Sequence, residues 1–320
     1  MQINNDNNVD SKFHLVPSKK ENELTISTIN VQTLSNDIKL ANVCDIFTSL
    51  RHDIGLLQES RRTGQGMIEI DALRFIWIGH KKKKLHGVSI ILAPHVKLLD
   101  IFYISPRILK LHIKVHGINF AIVNCYSPTE QSKDSMKDTF YKDLQKCLDD
   151  IPSIYKPILG GDFNATIGNN SYGSWNCLGP TNHGEPDTNN NGNRLLSFAE
   201  RNTLRLENTI RPSKPRLIKT WVSGTGFEKR LDYFLTSSIM KKYVTKCRCR
   251  RGSSLLYVTD HYLLEMALYL PTKKELKTSR RINQISKKQP NIATITDPNV
   301  NSVYVQNLKN SLIKNHRHNN

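Results

Sequence analysis

The sequence predicts an α/β fold, a sandwich of two packed, mostly antiparallel or mixed β-sheets flanked by helices. Three observations lead there. About ten short β-rich runs are interspersed with four helical stretches. The runs stand at hairpin spacing in the middle of the chain, and strand–helix–strand units occupy its two ends. The 320 residues, 38% hydrophobic and 23% charged, suffice for one large core or two small ones.

The elements follow in order. Residues 1–23 are rich in Asn, Asp and Ser and read as a disordered polar arm. LTISTIN (24–30) and HDIGLLQE (52–59) bracket the amphipathic DIKLANVCDIFTSL, which makes the opening a β-α-β unit. RFIWIGH (74–80), GVSIILAP (87–94), LLDIFYIS (98–105), ILKLHIKVHG (108–117) and INFAIVNCY (118–126) alternate strand and turn, implying antiparallel sheet. A helix over 134–150 precedes KPILGGDFNA, a buried strand entering a polar turn. The Asn-, Gly- and Pro-rich stretch 168–192 reads as a long surface loop, a common place for binding residues. NRLLSFAERN is helical, LRLENT, TWVS and RLDYFLTS are strands, and HYLLEMALYLP closes the core before Pro271. The ordered core is thus expected over 24–271, and 272–320 as a basic tail with one helix, VNSVYVQNLKNSLIKN.

Net charge is +18, which favours a polyanionic partner. Part of the excess sits in the tail, where a charge run is usually solvated chain; the rest points to nucleic acid or another phosphate-rich ligand. Lys81, Lys82, Lys83 and Lys84 fall between two strands, and Arg248, Arg250 and Arg251 form a second basic group. Both are candidate contacts to backbone phosphates, which give affinity without reading sequence. No apolar run approaches the ~18 residues of a membrane span, and the N-terminus has no signal-peptide core, so an intracellular, non-secreted protein without a membrane partner is expected. The six scattered cysteines include no CxxC pair, which argues against a disulfide scaffold or a zinc site and suits a reducing compartment.

Several apolar runs end in polar residues that folding does not require: Asn30, Glu59, Tyr126, Asp162 with Asn164, Asp232, and Asp260 with His261. Each alone has an ordinary explanation, as a cap, a turn residue or one half of an ion pair. Together they say more, because strands in α/β sheets deliver their ends to one face. Clustered carboxylates repel unless a cation intervenes, and a hard divalent ion such as Mg²⁺ takes oxygen ligands while keeping waters that a phosphate oxygen displaces. An acid beside His261 would orient the imidazole. Such a set suits phosphate-ester hydrolysis.

These pieces, in order, are TINVQTL, LLQES, NCYSPT, GGDFNA, Thr220-Trp221, RLDYFL and TDH. In this they resemble the endonuclease/exonuclease/phosphatase family, and within it the apurinic-type endonuclease domains of non-LTR (LINE-like) retrotransposons and their host-encoded relatives. The resemblance covers about 24–271 and implies a four-layer α/β sandwich. It also implies Glu59 as principal metal ligand, helped by Asn30 and Asp260, with Mg²⁺ as cofactor and Mn²⁺ as a substitute. Asp162 matches the acid that activates water, and Asn164 and Tyr126 the donors to the scissile phosphate. His261 matches the histidine on that phosphate, held by Asp232. Repair-type members carry an acid where this chain has Gln32, whereas DFNATIG and NGNRLLSFAERNTLRLENT look like the retroelement branch. The implied activity is nicking of DNA to leave a 3′-hydroxyl, with a reverse transcriptase domain, absent from these 320 residues, as partner. The alternatives are an abasic-site repair nuclease, a family phosphatase, or an inactive module that binds nucleic acid or protein.

Overall fold

The computed structural model describes residues 22–180, 185–210, 217–251 and 259–271. The polar arm up to residue 21 and the tail helix expected beyond Pro271 lie outside the described residues.

The opening unit forms as its pattern requires. β1 (Glu23–Asn30) and β2 (Ile54–Gln58) pair in parallel, joined by α1 (Asp37–Ser49). The Asn36 side chain caps α1 by accepting from the Lys39 N–H at 2.8 Å. β3 (Gln65–Ile70), β4 (Leu73–Ile78) and β5 (Val88–Leu92) extend this sheet antiparallel, and β14 (Val244–Arg250) and β15 (Leu263–Tyr269) complete its other side. The order is β14-β15-β1-β2-β5-β4-β3. The second sheet is built from β6 (Lys97–Ser105), β7 (Ile108–Val115), β8 (Ile118–Tyr126), β9 (Lys156–Asp162), β10 (Leu204–Leu206) and β13 (Asp232–Ser237). Its order is β10-β13-β9-β8-β7-β6. β11 (Trp221–Val222) and β12 (Glu228–Lys229) form a small separate ribbon.

Period-two alternation decides what each face meets. In β8, Phe120 and Ile122 join a cluster with Leu56, Ile76 and Ile90 of the other sheet, while Val123 and Cys125 point the opposite way into a second cluster. That second cluster is closed by α2 (Asp134–Asp149) through Phe140 and Leu144, and by α3 (Asn190–Arg201) through Leu195, Leu196 and Phe198. On the far side α1 lays Leu40, Val43 and Phe47 against the first sheet. Two mixed sheets flanked by helices result, as the sequence predicts. Gly160 marks how closely the sheets approach: a Cβ there would come within 2.7 Å of Leu56 and 2.6 Å of Phe234.

Several expectations change. The runs between 74 and 126 divide, β4 and β5 belonging to the first sheet and β6 to β8 to the second. LRLENT stops being strand after Leu206, and Glu207–Ile210 make the short helix α4, because the Asn208 Nδ2 donates to the Asp232 carbonyl and Thr209 caps back to Leu206. The polar stretch 168–192 is anchored, not free: Cys177 and Leu178 are buried in the second cluster and Glu185 pairs with Lys219 at 2.6 Å. β3 and β14 carry weak apolar signals and emerge only as edge strands. Among the described residues no helix is long and apolar enough to cross a membrane, and all six cysteines are buried and unpaired.

Candidate active site

Register places the site. Asp162 at the end of β9 is the parallel partner of Tyr126 on β8 and the antiparallel partner of Asp232 on β13, so the three stand in one row across the second sheet. In the facing sheet Asn30 ends β1 opposite Gln58, and Glu59 follows immediately. His261 bridges to Trp221 just before β15. Both sheets therefore present these residues at the same edge.

The backbone at that edge is unusual. Gln32, Glu59, Arg61, His86 and Asn164 all have φ between 48° and 57°, a left-handed conformation that non-glycine residues adopt at a cost.

Asn30 is the joint between sheets. Its Nδ2 donates to Glu59 Oε1 and to Asp162 Oδ2, each at 3.1 Å, and its Oδ1 accepts from the Gln32 N–H. It thus offers nitrogen to the two carboxylates and keeps its oxygen on the turn. Tyr126 donates to Glu59 Oε1 at 2.8 Å, and Arg61 approaches Glu59 Oε2 at 2.5 Å. Burial works to raise the Glu59 carboxyl, but hydrogen bonds from Arg61, Asn30 and Tyr126 override it and hold it below its ordinary value. The Tyr126 hydroxyl is pushed well up by burial and the neighbouring Glu59 and Asp162, so it remains a donor.

Across the cleft, Asp232 Oδ2 lies 2.9 Å from His261 Nδ1, and His261 Nε2 lies 3.8 Å from Asp162 Oδ2. Burial works to lower the imidazole, but Asp232, then Asp162 and Asp260, raise it to about 9. The Asp162 carboxyl is pushed up to about 7, first by burial and then by Asp232. The imidazole therefore keeps its proton at neutral pH. Thr220 Oγ1 accepts from the N–H groups of Leu231 and Asp232, fixing where Asp232 starts its strand.

Asp260 is set apart. Its Oδ1 accepts from Gln32 Nε2 at 2.7 Å, its Oδ2 from Trp221 Nε1 at 2.8 Å, and its nearest site neighbour is His261 Nε2 at 3.8 Å. Asn164 donates its Nδ2 to the Ser127 carbonyl, and its own carbonyl accepts from Asn189 and Asn191.

Two groups of residues at this edge carry metal-ligand atoms. Asp162, Asp232 and His261 bring ligand-type atoms within 4.8 Å of one another, with the imidazole Nδ1 already engaged by Asp232. The second Glu59 oxygen faces Arg61, whose side chain is 43% exposed. Asp260 stands at the same edge, and carboxylate oxygens are the ligands a hard divalent cation prefers.

The basic groups separate. Lys81 to Lys84 are exposed, and His80 accepts the N–H groups of Lys82 and Lys83 to fix their turn. Arg248 and Arg250 instead converge with Lys246 on buried Glu265, at 3.3 and 2.6 Å for the arginines. Arg251 pairs with Glu228 at 2.7 Å and covers the Tyr262 ring. β14 carries no obvious strand signal because its inward residues include Cys247 and Cys249, alternating with cations.

Residues 27–261 match the model of the endonuclease/exonuclease/phosphatase family. The chain belongs to that family. Among endonuclease/exonuclease/phosphatase relatives, craniofacial development protein 2 of Tragulus javanicus is 28% identical over 262 residues, and that of Bos taurus 27%. The match covers 81% of this chain but 44% and 43% of theirs, so the chain spans less than half the length of these relatives. Solved structures of similar fold include the endonuclease domain of TRAS1, a telomere-specific non-LTR retrotransposon. That pair has a TM-score of 0.56 and 13% identity, over 78% of this chain and 99% of that one. The apurinic endonuclease LMAP from Leishmania major superposes with a TM-score of 0.57 at 15% identity, over 78% and 89%. A Neisseria 3′ phosphatase, NExo, bound to product DNA hairpin gives 0.56 at 19%, over 76% and 98%.

Arg61, His86, Arg107, Trp221 and Asn191 join the site without having been marked by any motif role. Trp221 and Asn191 stood in stretches that carry the resemblance, Asn191 in the first turn of α3; Arg61, His86 and Arg107 lie between strands.

Proposed function

We propose that the protein is a divalent-metal-dependent phosphodiesterase that nicks DNA and leaves a 3′-hydroxyl, with residues 24–271 as the catalytic region. The observation that carries this reading is the Asp232–His261 pair, charged and aimed at Asp162 at the edge where Glu59 and Tyr126 also stand. Membership of a family of nucleases and phosphatases, and a fold shared with proteins named as DNA endonucleases, support it.

Each residue has a task its environment suits. His261, with its Nδ1 held by Asp232, presents Nε2–H to a non-bridging phosphate oxygen and stabilises the charge that develops there. Asp162, whose affinity for a proton is raised, accepts one from the attacking water. That water's oxygen bonds to phosphorus as the P–O3′ bond breaks, so the phosphate stays on the O5′ side and O3′ leaves, taking a proton from solvent to become the hydroxyl. Tyr126 and Asn164 supply neutral donors. Glu59, with Asp260, would hold the Mg²⁺, which when bound neutralises phosphoryl oxygens, while Asn30 steadies the Glu59 carboxylate through its Nδ2. Binding there requires Arg61 to yield the Glu59 oxygen.

Nicking of supercoiled plasmid by wild type and Glu59→Ala, with Mg²⁺ supplied, tests the reading. Nicking by wild type alone is expected. Equal nicking by both, or none by well-folded wild type, overturns it, and salt-sensitive DNA binding without turnover would then mark a binding module.

A further inference from the structure

Asn191, in the first turn of α3, is fully buried, and its amide faces two backbone carbonyls. The Nδ2 donates to the Pro128 carbonyl at 2.9 Å and to the Asn164 carbonyl at 3.1 Å. With both partners acceptors, only the nitrogen can point there, which fixes the orientation of the amide. Its Oδ1 meets no donor among the described residues. A buried oxygen left so works against folding, whereas a residue kept only to seat a helix is better satisfied at both ends. The donor is what this position serves.

The two carbonyls belong to loops that carry reacting groups. Pro128 stands two residues after Tyr126, beyond β8, and Asn164 two residues after Asp162, beyond β9. Asn164 holds a left-handed φ of 48°, which persists only where several contacts impose it. Its N–H donates to Asp162 Oδ1 at 2.9 Å, its Nδ2 to the Ser127 carbonyl at 3.0 Å, and its carbonyl accepts from Asn191 and, at 3.3 Å, from Asn189 Nδ2. The Asn191 amide ties both loops at once.

α3 is a fixed support for that contact. The Glu130 carboxylate accepts the Asn190 and Asn191 N–H groups at 3.0 and 3.1 Å, and the Asn189 side chain caps the helix by accepting from the Gly192 N–H at 2.7 Å. A Cβ on Gly192 would come within 2.1 Å of the Thr166 carbonyl oxygen, so the first turn of α3 lies directly against the backbone that follows Asn164. Leu195, Leu196 and Phe198 anchor the rest of the helix in the second apolar cluster.

We infer that Asn191 is a positioning residue for hydrolysis: by binding the Pro128 and Asn164 carbonyls with one amide, it holds Asn164 in place beside Asp162 and Tyr126. The inference rests on the nuclease reading above, in which Asn164 is a donor to the scissile phosphate. With no exposed surface, Asn191 reaches no DNA, so its contribution is to the rate of the bound complex and not to affinity.

The test is steady-state nicking of supercoiled plasmid by the full chain with Mg²⁺, reading kcat and KM separately. Asn191→Asp keeps the shape and removes the donor. It is expected to lower kcat by about 10- to 100-fold, the order that a misplacement of about 1 Å costs, with KM within about twofold of wild type. If N191D does not fold, Asn191→Ala carries the same comparison. Asn202→Ala, at the other end of α3, removes an amide that bonds the Phe198 carbonyl and Gln145, and should lower the unfolding midpoint at wild-type kcat. The double variant N164A/N191A should lose far less than the product of the two single losses, because Asn191 acts through Asn164. Wild-type kcat in folded N191D or N191A, a loss confined to KM, or single losses that multiply in the double variant would overturn the role of Asn191, while nicking by wild type keeps the nuclease reading. No nicking by folded wild type removes both.

Discussion

Asp232 Oδ2 lies 2.9 Å from His261 Nδ1, and Asp232 has no solvent exposure at all. A carboxylate so placed holds the imidazole in one orientation and keeps its second nitrogen protonated toward the cleft. Because the same acid also raises the Asp162 carboxyl, it sets the two limbs of the pH dependence together.

Activity is expected to rise with pH as Asp162, raised to about 7, loses its proton, and to fall as His261, held at about 9, loses its own. Asp232→Asn removes a negative charge from both neighbours, so both limbs move to lower pH. A pH profile of kcat/KM for wild type and D232N reads this directly. An unmoved upper limb would show that His261 is not the group that must stay protonated. His261→Ala should lower the rate by about 10² to 10⁴.

Glu59 is the acid whose loss should abolish cation uptake. Calorimetry with Mg²⁺ alone is expected to register binding to wild type, none to Glu59→Gln, and tighter binding to Arg61→Ala, which no longer sets a guanidinium against the Oε2 oxygen. Chelation of the metal should stop nicking. Unchanged uptake by E59Q would move the metal to the Asp162, Asp232 and His261 group.

Gly161, immediately before Asp162, has φ of 147°, and a Cβ there would sit 1.9 Å from the Cys125 carbonyl oxygen of the neighbouring strand. Gly161→Ala must break the β8–β9 pairing that aligns Asp162 with Tyr126. A loss of about 3 kcal/mol or more is expected in denaturant unfolding. A variant of wild-type stability and full activity would contradict the register described.

Glu265 is buried beneath Lys246, Arg248 and Arg250 and beside His52. Burial works to raise its carboxyl, but hydrogen bonds from His52, Lys246 and Arg250 hold it far below its ordinary 4.5. A depressed carboxyl stabilises the fold fully above its ordinary value, and that contribution is lost as pH falls from there through the folded value. Glu265→Gln should therefore cost about 1–2 kcal/mol at pH 7, discounted because the cations are each about a third or more exposed. The difference from wild type should shrink in acid, as thermal melts at pH 7 and pH 3 would reveal. A constant difference at both would sink the idea.

The order of apolar runs and the polar residues ending them were legible in the chain. Asn30, Glu59, Tyr126, Asp162 and His261 follow or end hydrophobic strands, and burying them has no reason in folding alone. The near-continuous apolar run Phe120–Val123 in β8 likewise announces a strand covered on both faces. Other features depend on neighbours distant in sequence. Arg107 and His86 meet only because a turn between two strands of one sheet lies over the end of a loop from the other. Arg248 and Arg250 read as free cations until β15 brings Glu265 beneath them. Asn30 resembles a metal ligand until its amide is seen to turn its nitrogen toward Glu59 and Asp162. Periodicity is a property of the local backbone, so the sequence determined the strands and which residues they bury. Pairing of charges is a property of distance, and distance between residues more than a hundred positions apart is decided only when the two sheets close on each other.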